Sequence, residues 1–249
     1  MRDTPGPKDA PEKTPEERQL TEYERYIRTE ALLSLQKAPA DLSCHDEMAF
    51  QMVHQVEELW MKLALHELDR AQGLMHQDNF PEASRTLRRV HIILTLMANQ
   101  MRILETMSPK AYFTVRQVLG RGSGQESPGF NAMLDEGPRM RETLKGLLER
   151  SGVSLLEIHR DPEAHPALFD LTEALLDVDD GFQQFRARHL ALVRRIIGGR
   201  TPSLKGAPAD LLEVGVKACF FPELWLVREA LFRDFVPGPS LDDGGFDGH

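Results

Sequence analysis

Apolar residues recur at helical spacing over residues 21–36, 46–76, 80–107, 109–119, 133–151, 168–197 and 209–235, and almost nothing alternates as a strand would. The breaks fall where turn chemistry predicts them: Lys37 to Ser43 with Pro39, Asp78 to Pro81, Ser108 to Pro109, Gly198 to Pro208, and Pro237 onward. The pattern predicts an all-α protein without a repeat of solenoid period. The helix that starts near His45 carries an apolar stripe that includes Met48, Met52, Val56, Leu59 and Leu63, the face expected to pack. Two stretches are irregular, Gly120 to Pro128 and Gly198 to Pro208. Loops on rigid helical scaffolds commonly carry binding groups.

Composition narrows this picture. A chain of 249 residues is long enough to enclose a ligand in one large helical domain or to form two small ones. The Pro-rich, charged residues 1–20 read as a disordered tail, residues 21–236 as the folded domain, and 237–249 as a flexible tail. No apolar run approaches the roughly 18 residues that cross a bilayer, so no membrane partner is expected. The net charge of -9 repels phosphate backbones and disfavours nucleic acid. Cys44 and Cys219 lie far apart, in no CxxC or CxxCH motif, which suits a reducing, cytoplasmic compartment and argues against zinc ribbons and covalent haem attachment.

Several residues carry candidate chemistry. Phe50 and His54, four apart, share a helix face; spacing alone favours a core histidine beside an aromatic over a functional pair. No histidine is preceded at three residues by glutamate, which disfavours a ferritin-like di-iron site, and HExxH is missing. His189 lies late in a helix among Arg186, Arg188, Arg194 and Arg195. A neutral imidazole there suits iron, and the arginines suit propionates, but cations near a helix C-terminus also simply complement its dipole. Tyr112 and Arg116 are again four apart, on a short helix running into the Gly/Ser loop. A guanidinium fork matches a carboxylate bidentately, though most such arginines face water.

A set of ordered segments changes the weight of these residues: Tyr23-Glu-Arg-Tyr26, His45-Asp-Glu-Met48, Phe50-Gln-Met-Val-His54-Gln55, Glu58-Leu-Trp60, His66-Glu-Leu68, Tyr112-Phe-Thr-Val-Arg116, Phe185-Arg-Ala-Arg-His189 and Phe220-Phe-Pro-Glu-Leu-Trp225. Their order and spacing, from Thr21 to Arg228, resemble the tryptophan 2,3-dioxygenases. The resemblance implies a helical bundle enclosing a b-type haem, with His189 as proximal iron ligand and dioxygen as co-substrate. It implies that His54 is the distal histidine near the indole nitrogen, that Phe50 lines the indole pocket, and that Arg116, beside Tyr112, binds the substrate carboxylate. Ser123, Gly124 and Trp60 would contact the cofactor. Tyr23 and Tyr26 match aromatics that close a neighbouring subunit's pocket, which implies a homotetramer.

The implied reaction inserts oxygen into the indole ring of tryptophan or a substituted tryptophan and opens it to an N-formylkynurenine-type product. Alternatives are monooxygenation at indole C2 to an oxindole, a haem sensor without turnover, and a helical interaction protein without cofactor. The chain departs from the family in its loops. Where the family has a repetitive Gly/Thr stretch whose threonine meets the substrate ammonium, this chain reads Gly198-Gly-Arg-Thr-Pro-Ser-Leu-Lys-Gly-Ala-Pro208. Ser203 aligns best with that threonine, and Pro202 and Pro208 fix φ where the family has glycine. The other loop reads Gly120-Arg-Gly-Ser-Gly-Gln-Glu-Ser127 and lacks the family's aromatic.

Overall fold

A computed structural model describes residues 19–120, 122, 124–198 and 219–235, with the side chains of Gln125 and Phe235 excepted. The chain divides into two compact units, Met1–Leu42 and Ser43–His249. In the first, helices α1 (Glu22–Ile27) and α2 (Thr29–Leu33) precede a 3-10 turn at Pro39–Asp41. Thr21 and Glu24 form a reciprocal capping box that starts α1. The single helix expected over 21–36 is interrupted at Arg28, whose φ of 54° is left-handed and cannot continue a right-handed helix. Tyr23 and Tyr26 stand on α1 at 70% and 88% exposure.

The second unit holds α3 (Glu47–His76), α4 (Phe80–Leu104), α5 (Pro109–Leu119), a 3-10 turn at Gly124–Glu126, α6 (Pro128–Ser151), α7 (Leu155–Arg160), α8 (Pro166–Ile197) and α9 (Pro222–Phe235). The fold is all-α, with no strand among the described residues. Helices α3 and α4 form an antiparallel hairpin, α8 packs along α4, and α6 packs along α3. Several boundaries differ from those the pattern predicts. Helix α6 starts five residues earlier than expected because Ser127 accepts the Phe130 N–H and Pro128 takes the first turn. Helix α7 is short and arises from a Ser154/Glu157 capping box instead of apolar periodicity. In the last segment residues 209–218 lie outside the described residues, and the helix there starts at Pro222.

The apolar stripe expected to pack on α3 does so only in part. Met48 and Val56 are half-buried and Met52, Leu59 and Leu63 are exposed, while Val53, Met61, Ala64, Leu68, Ala71 and Met75 turn inward into the core, where α3 packs on α4 and α6. Helix α3 is apolar on two faces, and periodicity cannot choose between them. The inward set meets Leu87, Leu94 and Met97 of α4, Met133, Met140 and Leu144 of α6, and Leu171, Leu175, Val178 and Phe182 of α8. Each fully buried Leu, Met or Phe in this core contributes roughly 1.5–3 kcal/mol of transfer free energy.

Two polar anchors hold the C-terminal helix. Asp179 of α8 is fully buried and accepts from the Phe220 and Phe221 backbone N–H groups at 2.9 and 3.0 Å and from Trp225 Nε1 at 3.0 Å. The carboxylate thereby caps the entrance to α9, where helix N–H groups lack partners. Phe220 is thus brought against Phe182, ring centroids 4.9 Å apart, and against Gly137 of α6. A Cβ at Gly137 would lie 2.4 Å from Phe220 Cδ1, so only glycine admits this approach. The second anchor is Arg228 of α9, which donates to His159 Nδ1 at 2.9 Å and is paired with Glu173.

Candidate active site

The residues singled out by chemistry lie on α3, α5 and α8, and α5 packs on both of the others. The Phe50 ring sits 4.2 Å from that of His54, one turn along α3, and 6.4 Å from that of Tyr112 on α5. His54 Nδ1 is 2.7 Å from the Phe50 carbonyl oxygen. A carbonyl only accepts, so Nδ1 carries the hydrogen, and in the neutral ring Nε2 is left as an acceptor. Burial pushes the His54 pKa below its ordinary value against the opposing effects of that hydrogen bond and of Glu58. At neutral pH the ring is uncharged and presents a lone pair.

His189 is pushed down to about 4, by burial first and by nearby His54 second. His189 is set deep in protein yet keeps part of its surface uncovered, and no hydrogen bond occupies its ring among the described residues. The arginines around it are engaged elsewhere: Arg186 lies over the Phe182 ring at 4.8 Å, and Arg188 pairs with Glu105 at 2.9 Å.

Arg116 stands one turn after Tyr112 on α5. It is half-buried and makes no hydrogen bond or ion pair among the described residues. A guanidinium drawn partly out of water without an anion is costly, and a bound carboxylate would offset that cost. Trp60 packs against the hydrophobic core, Gly124 is exposed in the 3-10 turn, and Tyr23 and Tyr26 belong to the N-terminal unit. Ser123 and Ser203 lie outside the described residues.

Two acidic residues of α3 carry no role in the sequence reading. Burial raises the Glu57 pKa to about 7, against the lowering effect of Gln100. Glu58, one turn after His54, accepts from Ser127 Oγ at 2.5 Å and from the Gly129 N–H at 3.1 Å. Their signal in the sequence is slight: Glu58 sits within the Glu58-Leu-Trp60 segment, and Ser127-Pro128 reads as a helix start.

The chain is similar in sequence to the tryptophan 2,3-dioxygenases, whose family profile matches residues 8–136. Tryptophan 2,3-dioxygenase from Erythrobacter litoralis is 33% identical, over 84% of this chain and 98% of its own length. Those from Shewanella woodyi and Burkholderia mallei are 30% and 31% identical, over 84% and 86% of this chain and 90% and 85% of their own lengths. The chain belongs to the tryptophan 2,3-dioxygenase family and is an oxidoreductase.

The family is haem-dependent, and the donor chemistry here fits that group. His189 offers a neutral imidazole with no hydrogen bond on its ring among the described residues, the form in which histidine ligates iron. His54 is a second neutral imidazole, near enough to lower the His189 pKa. Among the described residues no helix is long and apolar enough to cross a membrane.

Proposed function

We propose that the protein inserts both atoms of dioxygen across the indole C2–C3 bond of tryptophan or a close analogue, giving an N-formylkynurenine-type product. Breaking C2–C3 and forming two carbonyls consumes one dioxygen and balances without an external reductant. His189 would hold a b-type haem, which supplies the activation of dioxygen when bound. Arg116 pairs with the substrate carboxylate, and Phe50 and Tyr112 flank the indole. His54 accepts the indole N–H at Nε2, since its Nδ1–H is committed to the Phe50 carbonyl. It orients the ring and needs no charge to do so. Positioning of this kind supplies much of an enzyme's rate.

The observation that carries this reading is Arg116: a half-buried cation without an anion among the described residues, one turn along α5 from Tyr112, whose ring stands 6.4 Å from that of Phe50. The experiment is turnover of tryptophan under labelled dioxygen with mass spectrometry of the product. Two labelled atoms in a ring-opened product are expected. One labelled atom in an oxindole would make the enzyme a monooxygenase, and haem without consumption of any indole amino acid would make it a sensor.

The same reading includes self-association into a homotetramer. In the α3/α4 hairpin, closed at residues 77–79, exposed Leu63, Leu59 and Met52 stand level with exposed Ile92, Leu96 and Ile103. Six exposed large apolar side chains on these two helices suit a second copy of the chain. Exposed Tyr23 and Tyr26 would reach a neighbouring subunit's pocket. Sedimentation should give about four times the 28.2 kDa chain mass, and a fully active monomer would refute the assembly. The free thiols of Cys44 and Cys219 fit a cytoplasmic setting.

A further inference from the structure

Glu58 shares a face of α3 with His54, one turn on, and reaches across to a different part of the chain. Its Oε1 accepts the Ser127 hydroxyl at 2.5 Å and its Oε2 the Gly129 N–H at 3.1 Å. Ser127 is itself the cap of α6, accepting the Phe130 N–H at 3.0 Å. The carboxylate therefore meets two of the groups that a helix start leaves open, and the α6 dipole adds to the attraction. Gly129 shows how close the approach is. A Cβ there would lie 2.7 Å from Glu58 Oε2 and 2.9 Å from both Cβ and Sδ of Met61.

Directly before this anchor lies the 3-10 turn at Gly124–Glu126, and α5, which carries Arg116, ends at Leu119. We propose that Glu58 is a positioning residue: its two hydrogen bonds fix the 124–127 turn and the start of α6 against the α3 face that presents His54. The inference rests on the proposed indole-oxygenase reading for its catalytic consequence, but the clamp itself does not. Its geometry requires an acceptor for the Gly129 N–H and a polar partner for Ser127 Oγ at short reach, not a full negative charge. Glutamine keeps both contacts, its carbonyl accepting from Gly129 and its amide donating to Ser127 Oγ.

The test uses the full-length protein as purified, with Glu58→Ala, Glu58→Gln and Gly129→Ala. Amide hydrogen exchange over residues 127–131, read without reference to haem or turnover, should rise in Glu58→Ala and Gly129→Ala and stay near parent in Glu58→Gln. In haem-loaded protein, Glu58→Ala should raise the KM for tryptophan about tenfold or more while kcat changes less, since misplacement of a wall by about 1 Å is costly. The C–O stretch of its carbon monoxide adduct should broaden or split, and Glu58→Gln should restore one parental band. Unchanged exchange in both Glu58→Ala and Gly129→Ala would overturn the clamp. So would a Glu58→Gln variant as impaired as Glu58→Ala, since charge would then be the active quantity. A lower melting temperature with parental KM and C–O band would reduce Glu58 to a structural residue and overturn its positioning role. If the parent consumed no indole amino acid, the oxygenase reading would fail while the exchange result still decided the clamp.

Discussion

His159 and His54 are both buried, and burial is the largest cause pushing each imidazole below its ordinary pKa, yet their surroundings are opposites. Arg228 donates to His159 Nδ1 at 2.9 Å, so Nε2 carries the hydrogen and donates to Thr172 Oγ1 at 3.1 Å. Both ring nitrogens are used, and the Phe169 ring stands edge-on to the imidazole. His54 commits one nitrogen to a carbonyl of its own helix and leaves the other without a partner among the described residues. Burial therefore does not mark a site. What separates the two is the acceptor: His54 keeps one unspent among the described residues, and His159 does not.

The largest effect that would sharpen this contrast comes from His189. His189→Ala should remove the Soret band of purified protein or make it depend on added imidazole, whereas His159→Ala should bind haem as the parent does. Normal haem content in the first variant would remove the distinction between the two regions.

Arg116 comes next. A charged hydrogen bond lost from a desolvated site costs about 2–5 kcal/mol, so Arg116→Ala should lower kcat/KM for tryptophan roughly 30-fold to several thousand-fold. Tryptamine, lacking the carboxylate, should discriminate little between parent and variant. Equal losses on both substrates would make Arg116 a support of the fold.

His159→Ala should lower stability by about 2–4 kcal/mol, because it opens a cavity and leaves Arg228 and Thr172 without their ring partner. Its kcat/KM should stay near that of the parent. The His159 pKa is depressed in the folded state, so the unfolded chain binds more protons as pH falls below the ordinary value of 6.5. The parent should lose this part of its stability with acidification, and the variant should not. Chemical denaturation at several pH values measures both, and a catalytic defect without destabilisation would reverse the roles assigned to the two histidines.

Glu57 gives the smallest effect, with the opposite sign. Its pKa rises from 4.5 to about 7 on folding, so its stabilising contribution is present at low pH and is lost as pH rises through about 7. Glu57→Gln should stabilise the protein at pH 8 by on the order of 2 kcal/mol, discounted for its partly open side chain, and by much less at pH 5. Calorimetry that finds the same shift at both pH values would show that charge burial is not the cause.

Much of the architecture was legible along the chain because it is local. Helical periodicity, the Ser108-Pro109 start and the Gly198 stop all act within a turn of their own residues. The pairing of Phe50 with His54, and the one-turn spacing of Tyr112 and Arg116, follow equally from helix geometry. Tertiary structure decided what local rules leave open. Helix α3 has two apolar faces, and only the packing of α4, α6 and α8 shows that Met61 and Leu68 belong to the core while Leu59 and Leu63 do not. Asp179 and Glu58 read in the sequence as ordinary helix-surface acids. Their partners lie 41 to 46 and 69 to 71 residues away, and an acid becomes an anchor only when a folded chain aims distant N–H and O–H groups at it.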